Sequence, residues 1–99
     1  MDLNREIRQA VTTGKVILGP DKSLKVLKLG QAKLVILALN CPEVVRDDVE
    51  RYAKLAGIPI HIYHSDSTEL GLACGKPFLV NVMTIIDPGS SNILNIGGT

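Results

Sequence analysis

The residues Leu34, Val35, Ile36, Leu37, Ala38 and Leu39 form an apolar run with no polar break, closed by Asn40, Cys41 and Pro42. A run this short is strand-sized and far below the roughly 18 residues needed to cross a bilayer. A strand with no polar alternate offers no face to water. It has to lie centrally in a sheet, with other structure packed above and below it. The run therefore demands helices on both faces of a sheet.

The rest of the chain supplies them. Leu3, Ile7, Ala10 and Val11 recur at helical spacing, so residues 2–13 read as an amphipathic helix that Gly14 ends. Val16, Ile17 and Leu18 are a short strand closed by Gly19 and Pro20. Residues 21–29 read as a second helix, with Leu24 and Leu27 inward, Lys22, Lys25 and Lys28 outward, and Gly30 as its stop. Pro42 suits the entry to a third helix over residues 43–56, where Val45, Val49, Tyr52, Ala53 and Ala56 share one face and Gly57 is the stop. A strand is expected at 60–63. A fourth helix carries Leu70, Leu72 and Ala73, with Ser65 and Ser67 as candidate N-caps. A last strand is expected at 79–86, then a turn at Asp87, Pro88 and Gly89, a short helical turn at 91–94 and a loose Gly97, Gly98, Thr99 end. Helices and strands alternate four times, which is an α/β pattern.

Several function classes are hard to build from these residues. The turn after the first strand, LGPDKS, is neither GxGxxG nor GxxxxGK[ST], so no nucleotide-binding loop is expected. Cys41 and Cys74 stand alone without a CxxC, and His61 and His64 do not complete a zinc pattern, so no metal, cofactor or disulfide is expected. A cysteine nucleophile would need one of these histidines as its base. Along the strand containing His61 and His64, however, one histidine should face solvent and the other should pack. The N-terminal segment MDLNREIRQA is charged and helical, unlike a signal peptide, and points to a cytoplasmic protein. Aromatics are limited to Tyr52, Tyr63 and Phe78, too few for a sheet that stacks several bases.

Charge is the positive signal. The formal net charge is only +1, but residues 15–33 hold five lysines and one aspartate. Residues 43–51 hold four acids and two arginines. This asymmetry suggests a basic face for an anionic partner, with the acidic helix turned elsewhere. The strand-to-helix turn Gly19, Pro20, Asp21, Lys22, Ser23, Leu24, Lys25 offers unpaired helix N–H groups, two lysines one turn apart and a serine able to bond a base edge or phosphate. Asn40 follows the central strand. Lys76, Pro77 and Phe78 lie in a loop before the last strand, where Phe78 either plugs the core or packs on a splayed base. In an α/β sheet such loops gather at one end.

At these residues the chain resembles a known family. Gly14 with Lys15, the stretch LGPDKSLKVLKLGQAKLVILALN ending at Asn40, and the stretches RYAKLAGIPI, ELGLACGKPF and IIDPGSSNIL resemble, in order and without large insertion, the L-thirty-e family of archaeal and eukaryotic large-subunit ribosomal proteins. The resemblance implies a three-layer α/β/α sandwich around a four-stranded mixed sheet. It also implies kink-turn RNA as the partner, in a superfamily that binds sharply bent helices with an asymmetric internal loop. The RNA contacts it implies are Gly19, Pro20, Asp21, Lys22, Ser23 and Lys25, then Asn40, then Lys76, Pro77 and Phe78. Asp21 departs from the basic or amide residue that relatives tend to carry there. Gly71 and Gly75 also match, and serve either close helix packing or close approach of an RNA backbone.

The resulting expectation is one RNA-binding domain over 1–99. It is a non-catalytic structural component of the large subunit, monomeric when free, bound to ribosomal RNA beside other ribosomal proteins and not to a membrane. An accessory domain presenting RNA to a modifying enzyme, or a protein-interaction module of the same fold, are the competing readings. The first would need additional sequence for its enzyme, and the second an acidic loop face in place of the lysines.

Overall fold

The computed structural model describes residues 2–96. Four α-helices alternate with four strands: α1 (Leu3–Thr13), β1 (Lys15–Leu18), α2 (Pro20–Lys28), β2 (Leu34–Leu37), α3 (Glu43–Ala56), β3 (Ile60–Ile62), α4 (Ser67–Ala73) and β4 (Val82–Asp87). A 3-10 turn, Ile93–Ile96, follows. The expected loose end at Gly97, Gly98 and Thr99 lies outside the described residues.

The sheet order is β1-β4-β2-β3. β4 runs antiparallel to both β1 and β2, and β2 runs parallel to β3, so the sheet is mixed. β2 is interior, as its composition requires, and all four of its residues are buried. Strand alternation divides them between two layers. Leu34 and Ile36 join Ile7, Ala10, Leu70, Met83 and Ile85 on the α1 and α4 side. Val35 and Leu37 join Leu27, Val49, Ala53 and Val82 on the α2 and α3 side. The result is an α/β/α sandwich. Cys74 belongs to the first layer and Cys41 to the second, so the sheet stands between them and both are free thiols.

Most element boundaries move by a residue or two, for identifiable reasons. Asp2 caps α1 by accepting from the Arg5 N–H at 3.3 Å. The cap of α4 is neither Ser65 nor Ser67 but Asp66, whose carboxylate accepts from the Glu69 N–H at 3.0 Å. Ser67 is the first helical residue and is buried. The last strand starts at Val82 rather than at residue 79, because the preceding backbone is bonded elsewhere. The Val80 N–H donates to the Ser67 carbonyl and the Asn81 carbonyl accepts from Ala38. The ladder of β2 ends at Leu37, and Leu39 emerges 59% exposed. The terminal turn begins two residues later than expected because the Ser91 hydroxyl accepts from the Ile93 N–H at 3.1 Å and so caps it. That same hydroxyl donates to the Glu6 carbonyl at 2.7 Å, and the Glu6 carboxylate accepts from the Asn92 N–H at 2.7 Å, which ties the C-terminal segment to α1.

Two glycines earn their places by contact. A Cβ at Gly14 would run into the Asp87 carbonyl, and one at Gly71 into the Phe78 carbonyl. Gly71 is buried against its own chain, so the close approach it permits is internal and not to RNA. Gly75 lies beyond α4, in the left-handed turn that follows it.

Thr84, in the middle of β4, is fully buried and its hydroxyl has no partner among the described residues. Thr84→Val keeps the shape and removes a group that costs about 1–3 kcal/mol to leave unpaired. The variant should melt several degrees higher, at about 4–8 °C per kcal/mol for a domain of this size. A lower melting temperature would show that the hydroxyl is satisfied in solution.

Candidate nucleic-acid interface

The strand directions bring the loops together. β1, β2 and β3 all run one way and β4 runs the other, with Leu18 opposite Met83, Leu37 opposite Val82 and Leu37 beside Ile62. The ends of the first three strands and the start of the fourth therefore share one edge of the sheet. Gly19, Asn40 and the segment carrying Lys76, Pro77 and Phe78 all belong to loops at that edge.

Backbone hydrogen bonds lace these loops to one another. The Gly19 N–H donates to the Val82 carbonyl at 2.9 Å, Ala38 to Asn81 at 2.9 Å and Leu39 to Ser65 at 2.9 Å. Asn40 closes the network by accepting the Ser67 N–H at its Oδ1, at 2.8 Å. A backbone N–H can only donate, so the oxygen of the Asn40 amide has to face Ser67. Its NH₂ group is thereby aimed outward from an exposed residue. Asn40 thus has a structural duty that its sequence position did not reveal, and that duty orients its free donors.

The turn at Gly19 is built for backbone approach. Gly19 holds φ 106°, ψ 155°, a conformation that side chains disfavour, and space for a Cβ is open. Pro20 takes the first helical position, and no side chain caps the N-terminus of α2. Its first-turn N–H groups and positive dipole end therefore have no side-chain partner. Asp21, Lys22 and Lys25 are exposed on this helix. Ser23 is not: it is fully buried, and its hydroxyl has no partner among the described residues. It lies four residues before the buried Leu27 and so shares the inward face of α2, which removes its side chain from the expected contact set.

Phe78 is 54% exposed, so it does not plug the core. With Thr68, Leu72, Lys76, Pro77 and Leu79 it lines a shallow recess of about 230 Å³. Leu72 and Leu79 are 60% and 62% exposed, an apolar shelf that sequence reading missed. A signal did exist, because Leu70 and Leu72 are two apart on one helix and cannot both face the core.

The lysines do not form one patch. Lys15 opens β1 opposite Asp87, and the Lys33 N–H bonds Ile85, so both lie at the other end of the sheet. Only Lys22 and Lys25, with Lys76, are left for the loop end. α3 packs beside α2, yet Glu43, Asp47 and Glu50 lie on the side of α3 away from Tyr52, the residue that meets Lys28. Those three acids are turned away from α2, whereas Asp48 lies on the Tyr52 side, paired with Arg51 at 2.9 Å.

Catalytic geometry is poor. Burial pushes the Cys74 thiol up to about 11, and burial also raises Cys41, against a smaller lowering by Arg46. Neither is a ready thiolate near neutral pH. Burial, and then His64, lower the His61 pKa, while His64 is exposed with its ring 4.3 Å from that of Tyr63. Among the described residues no group of three or more potential ligands could hold a metal, and no helix is long and apolar enough to cross a membrane.

Sandwich and loop placement together define the class: small α/β/α proteins around a mixed four-stranded sheet, with several loops gathered at one end of it. The particular family is shown by sequence. The chain belongs to the Ribosomal protein L7Ae/L30e/S12e/Gadd45 family, whose profile it matches over residues 1–95. It is 51% identical to the large ribosomal subunit protein eL30 of Methanothermobacter thermautotrophicus, across 99% of this chain and 100% of that one. It is 49% identical to the protein of the same name from Methanocaldococcus jannaschii, across 97% and 87%. A solved structure of a protein of unknown function from Bacillus halodurans superposes with a TM-score of 0.84 at 22% identity, covering 96% of this chain and 94% of that one, a likeness of fold.

Two variants separate structure from surface. Asn40→Ala leaves the Ser67 N–H at the start of α4 without its side-chain acceptor and should cost about 1 kcal/mol of stability. Phe78→Ala, at an exposed position, should stay within about 0.5 kcal/mol. Chemical denaturation of both measures this, and a large loss in Phe78→Ala would place the ring in the core.

Proposed function

We propose that the chain is a structural, non-catalytic protein of the large ribosomal subunit that binds and stabilises kinked, kink-turn RNA. It works as one domain, monomeric when free, on the cytoplasmic ribosome beside other ribosomal proteins. Its roughly half-identical archaeal relatives are named as large-subunit proteins, which supports the setting.

One observation carries the RNA reading. The uncapped start of α2, the outward NH₂ of Asn40 and the exposed ring of Phe78 converge on a single laced edge. Each fits a different part of RNA. The helix start, with Gly19 and Pro20, takes a phosphate, and Lys22 and Lys25 flank it. The Asn40 donors suit acceptors on a base edge. Phe78, beside Lys76 and Pro77, packs on an unstacked base. Asp21 repels phosphate but accepts from an exocyclic amino group of guanine or cytosine.

A straight A-form duplex hides its base edges in a deep, narrow groove and offers mainly phosphates and 2′-hydroxyls. It satisfies the lysines but leaves Asn40 and Phe78 idle. A kinked internal loop splays bases and draws two phosphate backbones together, so it engages all three features. Binding then favours the bent form of the RNA over the extended one by the difference in contacts.

The test is titration of a kink-turn RNA and a fully paired duplex of equal length at matched salt, with end-to-end distance followed by fluorescence transfer. The kink-turn should bind tighter by a few kcal/mol, in the lower part of the roughly 4–10 kcal/mol gap between specific and non-specific sites, and should shorten on binding. Phe78→Ala should lose about 1–3 kcal/mol of that preference. Lys25→Ala should weaken both RNAs alike and make the salt dependence shallower by about one unit or less. Equal affinity for the two RNAs would reduce the site to generic charge attraction.

A further inference from the structure

At the end of the molecule opposite the loops, a groove of about 460 Å³ runs between the C-terminal turns of α2 and α3, lined by Leu27, Lys28, Leu29, Tyr52, Leu55 and Ala56 among others. Leu29 is 70% exposed and Leu55 77% exposed. Two large leucines held in water on adjacent helices mark a surface that gains by being covered.

The charge around the groove says by what. Lys28 Nζ sits 4.9 Å from the centre of the Tyr52 ring, and the Arg51 guanidinium carbon lies 5.2 Å from it. Arg51 is paired with Asp48 at 2.9 Å, whereas Lys28 has no carboxylate at ion-pair distance among the described residues. Glu43, Asp47 and Glu50 occupy the other side of α3. Lys22, Lys25 and Lys28 recur every third residue and are all exposed, so their cations climb about 9 Å along α2 while turning about 120° across its outer face, from the loop edge to the groove. A slot lined by the Tyr52 ring and by apolar side chains, with a cation at its rim and a track of cations leading to it, offers a single strand a ring and apolar walls for a base and ammonium groups for its phosphates.

We propose that the groove is a second RNA contact, which takes an unpaired nucleotide of the RNA held at the loop edge. Its base packs between Leu29 and Leu55 and its phosphate lies against Lys28. The proposal rests on RNA binding at the loops. A protein partner would have to bring acids to Lys25 and Lys28, while a polynucleotide following α2 presents phosphates along the whole line.

The test uses two RNAs: a kink-turn with short stems, and the same kink-turn with a single-stranded extension long enough to follow α2, placed on each strand end in turn. One of the extended RNAs should bind the wild-type protein about tenfold tighter than the short one, as one base contact allows. The Leu29→Ser/Leu55→Ser double variant and Lys28→Ala should each abolish that advantage and bind the short RNA as wild type does. Both leucines are exposed, so melting temperature provides the folding control. No advantage of either extension for wild type, or an advantage that survives in both variants, would overturn the proposal while leaving the loop-edge reading intact. Failure of wild type to bind the short RNA would overturn both. A photoreactive group on Leu55→Cys should crosslink to the extension. Crosslinking in assembled subunits to a protein and not to RNA would give the groove a protein occupant and overturn the RNA assignment.

Discussion

The placement of β4 between β1 and β2 is the constraint from which the rest of the molecule follows. It is the last strand in the chain, yet it pairs on both sides, with Leu18 and Leu37 facing its first two residues. Because it runs against both neighbours, the segment that leads into it arrives at the same sheet edge from which α2 and α3 depart. A parallel insertion would have put Phe78 and Lys76 at the far end. The ligand face therefore depends on ladder hydrogen bonds in the core as much as on any loop residue.

That edge is stiff for a loop surface. Loops usually owe their mobility to backbone groups bonded to water. Here Gly19, Ala38, Leu39 and Val80 donate to other loops or to neighbouring strand and helix ends, and the Asn40 amide bonds the first turn of α4. A site ordered before its ligand arrives avoids the entropy of ordering on binding, about 0.5–1.5 kcal/mol for each flexible side chain. Asn40 is the economical case, since one amide both completes a helix end and points two donors outward.

Much of this was legible in the sequence, and its limits are physical. Period and punctuation place all four helices, and the unbroken run at Leu34 to Leu39 requires an interior strand, because helical spacing and an apolar run are local properties, although the strand itself stops at Leu37. Strand order is not local: nothing in residues 79–86 announces that they insert between two earlier strands, and the family resemblance implies a mixed sheet without giving its order. Ser23 shows a different limit. A serine in a first helical turn reads as a surface group, and its burial follows from α2 lying on the sheet with Leu27 inward. Asp66 is hard to single out as the α4 cap because two serines flank it, and which of three adjacent side chains caps a helix depends on where the chain turns. The sequence does not decide between core and surface for Phe78, because its fate depends on the carbonyl of its own residue packing against Gly71.

The near-zero net charge then bears on how such a surface discriminates. A protein of formal charge +1 has no strong long-range field to draw in any polyanion. Lys15 and Lys33 are remote from the loop edge, and the acids of α3 repel a backbone that strays across that helix. Only a ligand that threads the uncapped start of α2 and the line from Lys22 to Lys28 meets attraction throughout. The remainder of its binding free energy has to come from shape-dependent contacts, the Asn40 donors and the apolar shelf of Leu72, Phe78 and Leu79. On the kink-turn reading proposed above, a straight RNA helix would leave that shelf in water and a bent one would cover it. If the chain binds RNA as proposed, weak overall charge makes selection depend on the geometry of the RNA, since little generic affinity exists to mask the difference.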